Sequence, residues 1–164
     1  MISKKVILTG SFGVGKTSLF EQFLYSKFSQ KYLTTIGVKV DKKVLNINGK
    51  ELSMIIWDIA GEVKQDKVPN SYFLGTSAII YVFDVTRKST YEELEEDIAH
   101  IKKMLPNGIT AIVGNKIDLV DASFIEELKQ NIPLPWDMLT SAKTGDNVEQ
   151  LFHAIGIKLL AQNS

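Results

Sequence analysis

Eight residues constrain this chain more than any other stretch: Gly10-Ser11-Phe12-Gly13-Val14-Gly15-Lys16-Thr17. They fit the spacing G-x-x-x-x-G-K-[ST] in full, and their flanks supply the matching context. Lys5-Val6-Ile7-Leu8-Thr9 ahead of them reads as a buried strand, and a helix is predicted from about Lys16. Strand, glycine-rich turn and helix in that order direct backbone N–H groups and a helix N-terminus at one point, where an anion is favoured. Lys16 would reach the β and γ phosphates of a nucleoside triphosphate, and the Thr17 hydroxyl would bind Mg²⁺. Ser11, Phe12, Gly13, Val14, Gly15 and Ser18 complete the predicted phosphate contacts. Alone, the loop specifies a triphosphate and no particular base.

Apolar runs and amphipathic stretches alternate along the rest of the chain. Val38 to Ile47 and Leu52 to Trp57 read as two strands, joined by a hairpin turn at Asn48-Gly49, where both residues tolerate positive φ. Ala78 to Val85 and Ile109 to Val113 are continuous apolar runs, as central strands covered on both faces require. Between Ser89 and Leu105 the apolar residues Leu94, Ile98, Ile101 and Leu105 recur at helical spacing. Ser89 or Thr90 is expected to cap that helix, with Glu92 or Glu93 completing a capping box. Its acidic first half and Lys102-Lys103 at its end suit the helix dipole, so the acidic run is read as a solvated face rather than a metal site. Val148, Leu151, Phe152, Ile155 and Leu159 mark a C-terminal helix. The pattern predicts one three-layer α/β domain over residues 1–164, with a mostly parallel sheet.

Composition narrows the function. The 164 residues suffice for one self-standing core. Lysine and arginine together equal the acidic residues at 19 each, which disfavours a general nucleic-acid surface. Cysteine is absent, which removes disulfides, thiolate metal sites and catalytic thiols from consideration. It also removes every site for prenyl or palmitoyl attachment, so no lipid anchor is expected in this chain. The short N-terminal apolar run Val6-Ile7-Leu8 is too brief for a signal peptide or membrane span, and a cytoplasmic protein is expected.

The base is specified further along. Asn115-Lys116-Ile117-Asp118 follows the apolar strand Ile109 to Val113, with Leu119 beside it. A carboxylate at Asp118 can accept from both N1–H and the exocyclic amine of guanine, a pair of donors adenine does not offer on that edge. The Lys116 stem can pack over the ring. Ser141-Ala142-Lys143, after the strand-like Met138-Leu139-Thr140, fits a loop whose backbone N–H meets the guanine O6.

With these motifs in this order, the sequence resembles a small GTPase of the Ras superfamily, and within it the Rab-like branch. The likeness spans essentially the whole chain: GSFGVGKT, Thr34-Thr35-Ile36-Gly37, Trp57-Asp58-Ile59-Ala60-Gly61, NKID and SAK. The resemblance implies a G domain of six strands and five helices, with its site at the carboxyl ends of the strands. It implies that Thr35 of switch I ligates Mg²⁺ when the γ-phosphate is present, Thr34 being an alternative at the wrong spacing. Asp58 would support Mg²⁺, and the Gly61 N–H would meet the γ-phosphate. Phe28 would pack on the guanine and Tyr32 would lie near the phosphates. Effector and regulator proteins would dock on switch I, about Phe28 to Val38, and switch II, about Gly61 to Leu74.

Two residues depart from the family pattern. Glu62 stands where a glutamine usually orients the attacking water, and an ionised carboxylate there adds like charge and cannot donate an amide hydrogen bond. Gln65, three residues on, could supply the missing amide. Phe12 occupies a loop position that is often small, where a partner's arginine enters. Together they predict slow hydrolysis and insensitivity to arginine-finger activators; the competing reading is a GTP-locked scaffold with negligible turnover. The single arginine, Arg87, is expected to serve near the start of the next helix rather than as an internal finger. His100 and His153 fall within helical patterns and read as structural.

Overall fold

A computed structural model of the protein describes residues 1–28, 37–59 and 69–162. Strand β1 (Ile2–Gly10) leads through the glycine loop into helix α1 (Lys16–Tyr25). Strands β2 (Val38–Ile47) and β3 (Lys50–Ile59) form the expected hairpin, with Asn48 at φ 52 and Gly49 at φ 83 in its two-residue turn. Then come β4 (Thr76–Asp84), α2 (Leu94–Met104), β5 (Ile109–Asn115), α3 (Ala122–Asn131), β6 (Met138–Thr140) and α4 (Val148–Gln162).

The six strands make one sheet in the order β2-β3-β1-β4-β5-β6, with β2 antiparallel and all other pairs parallel. Period-two alternation sends one set of side chains to each face. Leu8, Ile56, Ile80 and Val82 pack with Phe20 and Phe23 of α1 and Leu151, Phe152 and Ile155 of α4. Phe23 and Phe152 stack with ring centres 3.9 Å apart and planes 10° from parallel, joining the two helices. On the opposite face Ile7, Ile79, Tyr81 and Phe83 meet Leu94, Ile98 and Ile101 of α2 and Leu128 of α3. Coverage on both faces is why β4 reads as an unbroken apolar run: eight of its nine residues are buried.

Four details differ from the sequence reading. Among the described residues there are four α-helices where five were expected; the stretches 70–73, 88–90 and 117–119 are short 3-10 turns. Helix α2 begins at Leu94, and no side chain caps it. Thr90 is occupied elsewhere: its hydroxyl accepts from Asp84 N at 2.9 Å and lies 2.7 Å from the Arg87 carbonyl, which fixes the loop after β4. Helix α3 was not foreseen; Asp121 caps it, accepting from Phe124 N at 2.9 Å. The acidic first turn of α2 does form a solvated face, apart from Asp97, which accepts the Tyr81 hydroxyl at 2.6 Å. Burial and the Asp97 charge push the Tyr81 pKa up.

Candidate functional site

The strand order reverses beside β1, whose neighbours are β3 and β4. The loops leaving the carboxyl ends of β1 and β4 therefore flank one crevice, the usual ligand position in an open α/β sheet. The glycine loop forms one wall. Gly15 stands at φ 100 as the residue before α1, and a side chain there would run into the Asn115 amide. Lys16 and Thr17 open the helix and are almost fully buried. The Lys16 ammonium lies 3.4 Å from the Ser11 carbonyl, folded along the loop, and burial lowers its pKa against the opposing pull of Asp58. The Thr17 hydroxyl donates to Asp58 Oδ2 at 2.6 Å, so the end of β3 is tied to the first turn of α1. Ser11, Gly13 and Ser18 are half-buried, Val14 is buried in the core, and Phe12 is 39% exposed.

The second motif closes on the first. Asn115, buried at the end of β5, donates to the Val14 carbonyl at 3.0 Å. Its amide oxygen accepts from the Thr140 hydroxyl at 3.0 Å and from Ala142 N at 3.2 Å. One side chain thus joins three loops. Lys116 sits in the left-handed region at φ 74, uncommon for a non-glycine residue, and its ammonium donates to the Gly13 carbonyl at 2.8 Å. The same ammonium is 3.0 Å from Asp84 Oδ2. Asp118 and Leu119 are exposed, with one Asp118 oxygen accepting from the Ser141 hydroxyl at 2.8 Å. Ser141 and Ala142 are buried and Lys143 is exposed.

The described residues named from the sequence therefore gather along one rim: the glycine loop, the Asn115–Leu119 segment and Ser141–Lys143. Phe28 is half-buried beyond α1. Tyr32, Thr34, Thr35, Gly61, Glu62 and Gln65 lie outside the described residues, as do most of both switch segments. Two contributors were missed. Gln22 of α1 donates to the Ala142 carbonyl at 2.9 Å. Arg87 does more than the sequence reading gave it: its guanidinium donates to the Phe12 carbonyl at 3.1 Å. Neither residue belongs to a motif, and their partners lie 120 and 75 positions away in the chain.

This rim joins the glycine loop to the Asn115–Leu119 and Ser141–Lys143 segments, and comparison with known proteins shows the family in which it occurs. The family model described as "Ras family" matches residues 5–161. The chain belongs to the Ras family. It is similar to Ras-related protein Rab-30 of Homo sapiens, 34% identical over 163 residues covering 96% of this chain and 80% of that one. Ras-related protein Rab-4B of Homo sapiens is 36% identical over 154 residues, 90% and 72% of the two chains. Ras-related protein Rab-1A of Dictyostelium discoideum is 33% identical over 161 residues, 94% and 79%. The protein is thus a Rab-like Ras-superfamily GTPase, binding and hydrolysing GTP, in a family that generally uses Mg²⁺ with the bound nucleotide and engages effectors and regulators. No helix among the described residues is long and apolar enough to cross a membrane.

Proposed function

We propose that the chain is a GTP/GDP switch whose unaided hydrolysis is slow. The observation that supports the nucleotide reading is the closure of the Asn115–Lys116 segment onto the Val14 and Gly13 carbonyls, which brings Asp118 and the glycine loop to one rim. Backbone N–H groups of residues 13–18 and the Lys16 ammonium hold the phosphates, and Lys16 offsets charge that builds on the β–γ bridge as the γ-phosphate–oxygen bond breaks. Asp118 holds the guanine edge, with the Ser141–Lys143 loop beside it and the Lys116 stem over the ring. The Thr17 hydroxyl and Asp58 carboxylate are an oxygen-only pair in a buried position beside Lys16, which fits Mg²⁺. Bound there, Mg²⁺ would neutralise phosphate charge.

Thr35 and Gly61 couple the γ-phosphate to the two switch segments, through which effectors and regulators bind. Glu62 and Phe12 slow the off-step: the first fails to donate to the attacking water, and the second crowds the approach of a partner's arginine. The test is turnover by the Glu62→Gln, Phe12→Gly double variant. Acceleration over the unmodified protein, with and without an arginine-bearing activator, is the expected result; an unchanged rate contradicts it.

A further inference from the structure

A glycine loop that turns its N–H groups inward onto phosphates must turn carbonyls outward, and those carbonyls need partners. Two adjacent ones have cationic partners here: Lys116 takes the Gly13 carbonyl and Arg87 takes the Phe12 carbonyl. Both cations rest on one carboxylate. Asp84 closes β4 at 1% exposure, with Oδ2 3.0 Å from Lys116 Nζ and 3.9 Å from the Arg87 guanidinium. Its Oδ1 accepts from Thr86 N at 2.9 Å and the Thr86 hydroxyl at 2.6 Å, so the carboxylate cannot swing away.

The backbone under Arg87 is equally fixed. Arg87 N donates to the Asp84 carbonyl at 3.0 Å, and the Arg87 carbonyl accepts from Thr90 N at 3.0 Å and the Thr90 hydroxyl at 2.7 Å. The Arg87 side chain is 43% exposed, and one guanidinium nitrogen serves both neighbours. It donates to the Phe12 carbonyl and lies within ion-pair range of the buried Asp84 carboxylate, so a fixed backbone and a buried charge together aim it at the loop.

We propose that Arg87 is a positioning residue of the phosphate loop: anchored on Asp84, it holds the Phe12 carbonyl outward and thereby sets how long the loop retains its nucleotide. The proposal rests on the guanine-nucleotide reading above. Arg87 touches no phosphate; it acts through the orientation of the Phe12 and Gly13 peptides. A lysine at this position keeps the charge but carries it as a strongly hydrated point on a flexible stem, so it restores the function in part.

The test is release of a fluorescent GDP analogue from the unmodified protein, Arg87→Ala and Arg87→Lys in Mg²⁺ buffer, with the ³¹P spectrum of bound GDP recorded for each. Loss of one charge-assisted hydrogen bond predicts release about tenfold faster in Arg87→Ala, with Arg87→Lys between the two. The β-phosphate resonance should move in Arg87→Ala and return toward its original position in Arg87→Lys. Release at the unmodified rate in Arg87→Ala overturns the proposal. So does faster release that is equal in both variants with the β-phosphate resonance unmoved, because that is general loosening. Failure of the unmodified chain to bind GDP removes the nucleotide reading, and this proposal with it.

Discussion

The proposed guanine selectivity rests on Asp118, a carboxylate that can accept from two donors at once and that itself accepts from the Ser141 hydroxyl. Asp118→Asn removes the charge and turns one acceptor into a donor. GDP affinity should fall roughly 10²-fold or more, while the thermal midpoint of the nucleotide-free protein stays near its original value. Titration calorimetry and a melting curve check both halves. Lys16 gives a pH signature with two signs. Burial lowers its folded-state pKa below the ordinary 10.5, so the nucleotide-free fold gains stability as pH rises from that lowered value toward 10.5. Phosphate binding needs the protonated ammonium, so GDP affinity falls over the same window. In melting and binding series run across alkaline pH, Lys16→Met should weaken the stability trend, leaving the part that Lys5 contributes through its own burial-lowered pKa, and should remove the dependence of GDP binding on the ammonium. At this scale the motif residues were legible because their chemistry and spacing travel together. Arg87, Gln22 and Thr90 were not, since each is one polar residue whose role depends on a loop brought close by the sheet.

Strands were the most readable elements, because a parallel sheet covered on both faces writes itself as apolar runs, and Asn48-Gly49 marks the hairpin register. The helices were less so. Helix α3 was legible in principle, because Ile125 and Leu128 stand at helical spacing behind the capping side chain of Asp121, although only Leu128 is fully buried. The early start expected for α2 failed because Thr90 spends its hydroxyl on the loop after β4 instead of on a helix cap. Thr90→Val tests that assignment: it leaves the Asp84 N–H unpaired in a buried position and should cost about 1–3 kcal/mol in urea unfolding. The stacked pair Phe23–Phe152 carries the contact between α1 and α4, and Phe152→Ala should cost about 3–5 kcal/mol in the same assay. A loss under 1 kcal/mol would show that the two helices are held by other contacts.

As a whole the molecule is a sheet with its chemistry at one edge, where the loops after β1, β4, β5 and β6 meet. Asn115 and the Asp84 cluster join those loops to one another, Asn115 through its own short side chain and Asp84 through Lys116 and Arg87. The switching account places the unaided off-step under Glu62. Single-turnover hydrolysis of preloaded GTP, with Mg²⁺ and no partner, tests it most directly. The account predicts tight binding and a rate well below the roughly 3–5 × 10⁻⁴ s⁻¹ of unaided Ras. A rate at or above that value would contradict it, and would mean that another group orients the attacking water in spite of Glu62.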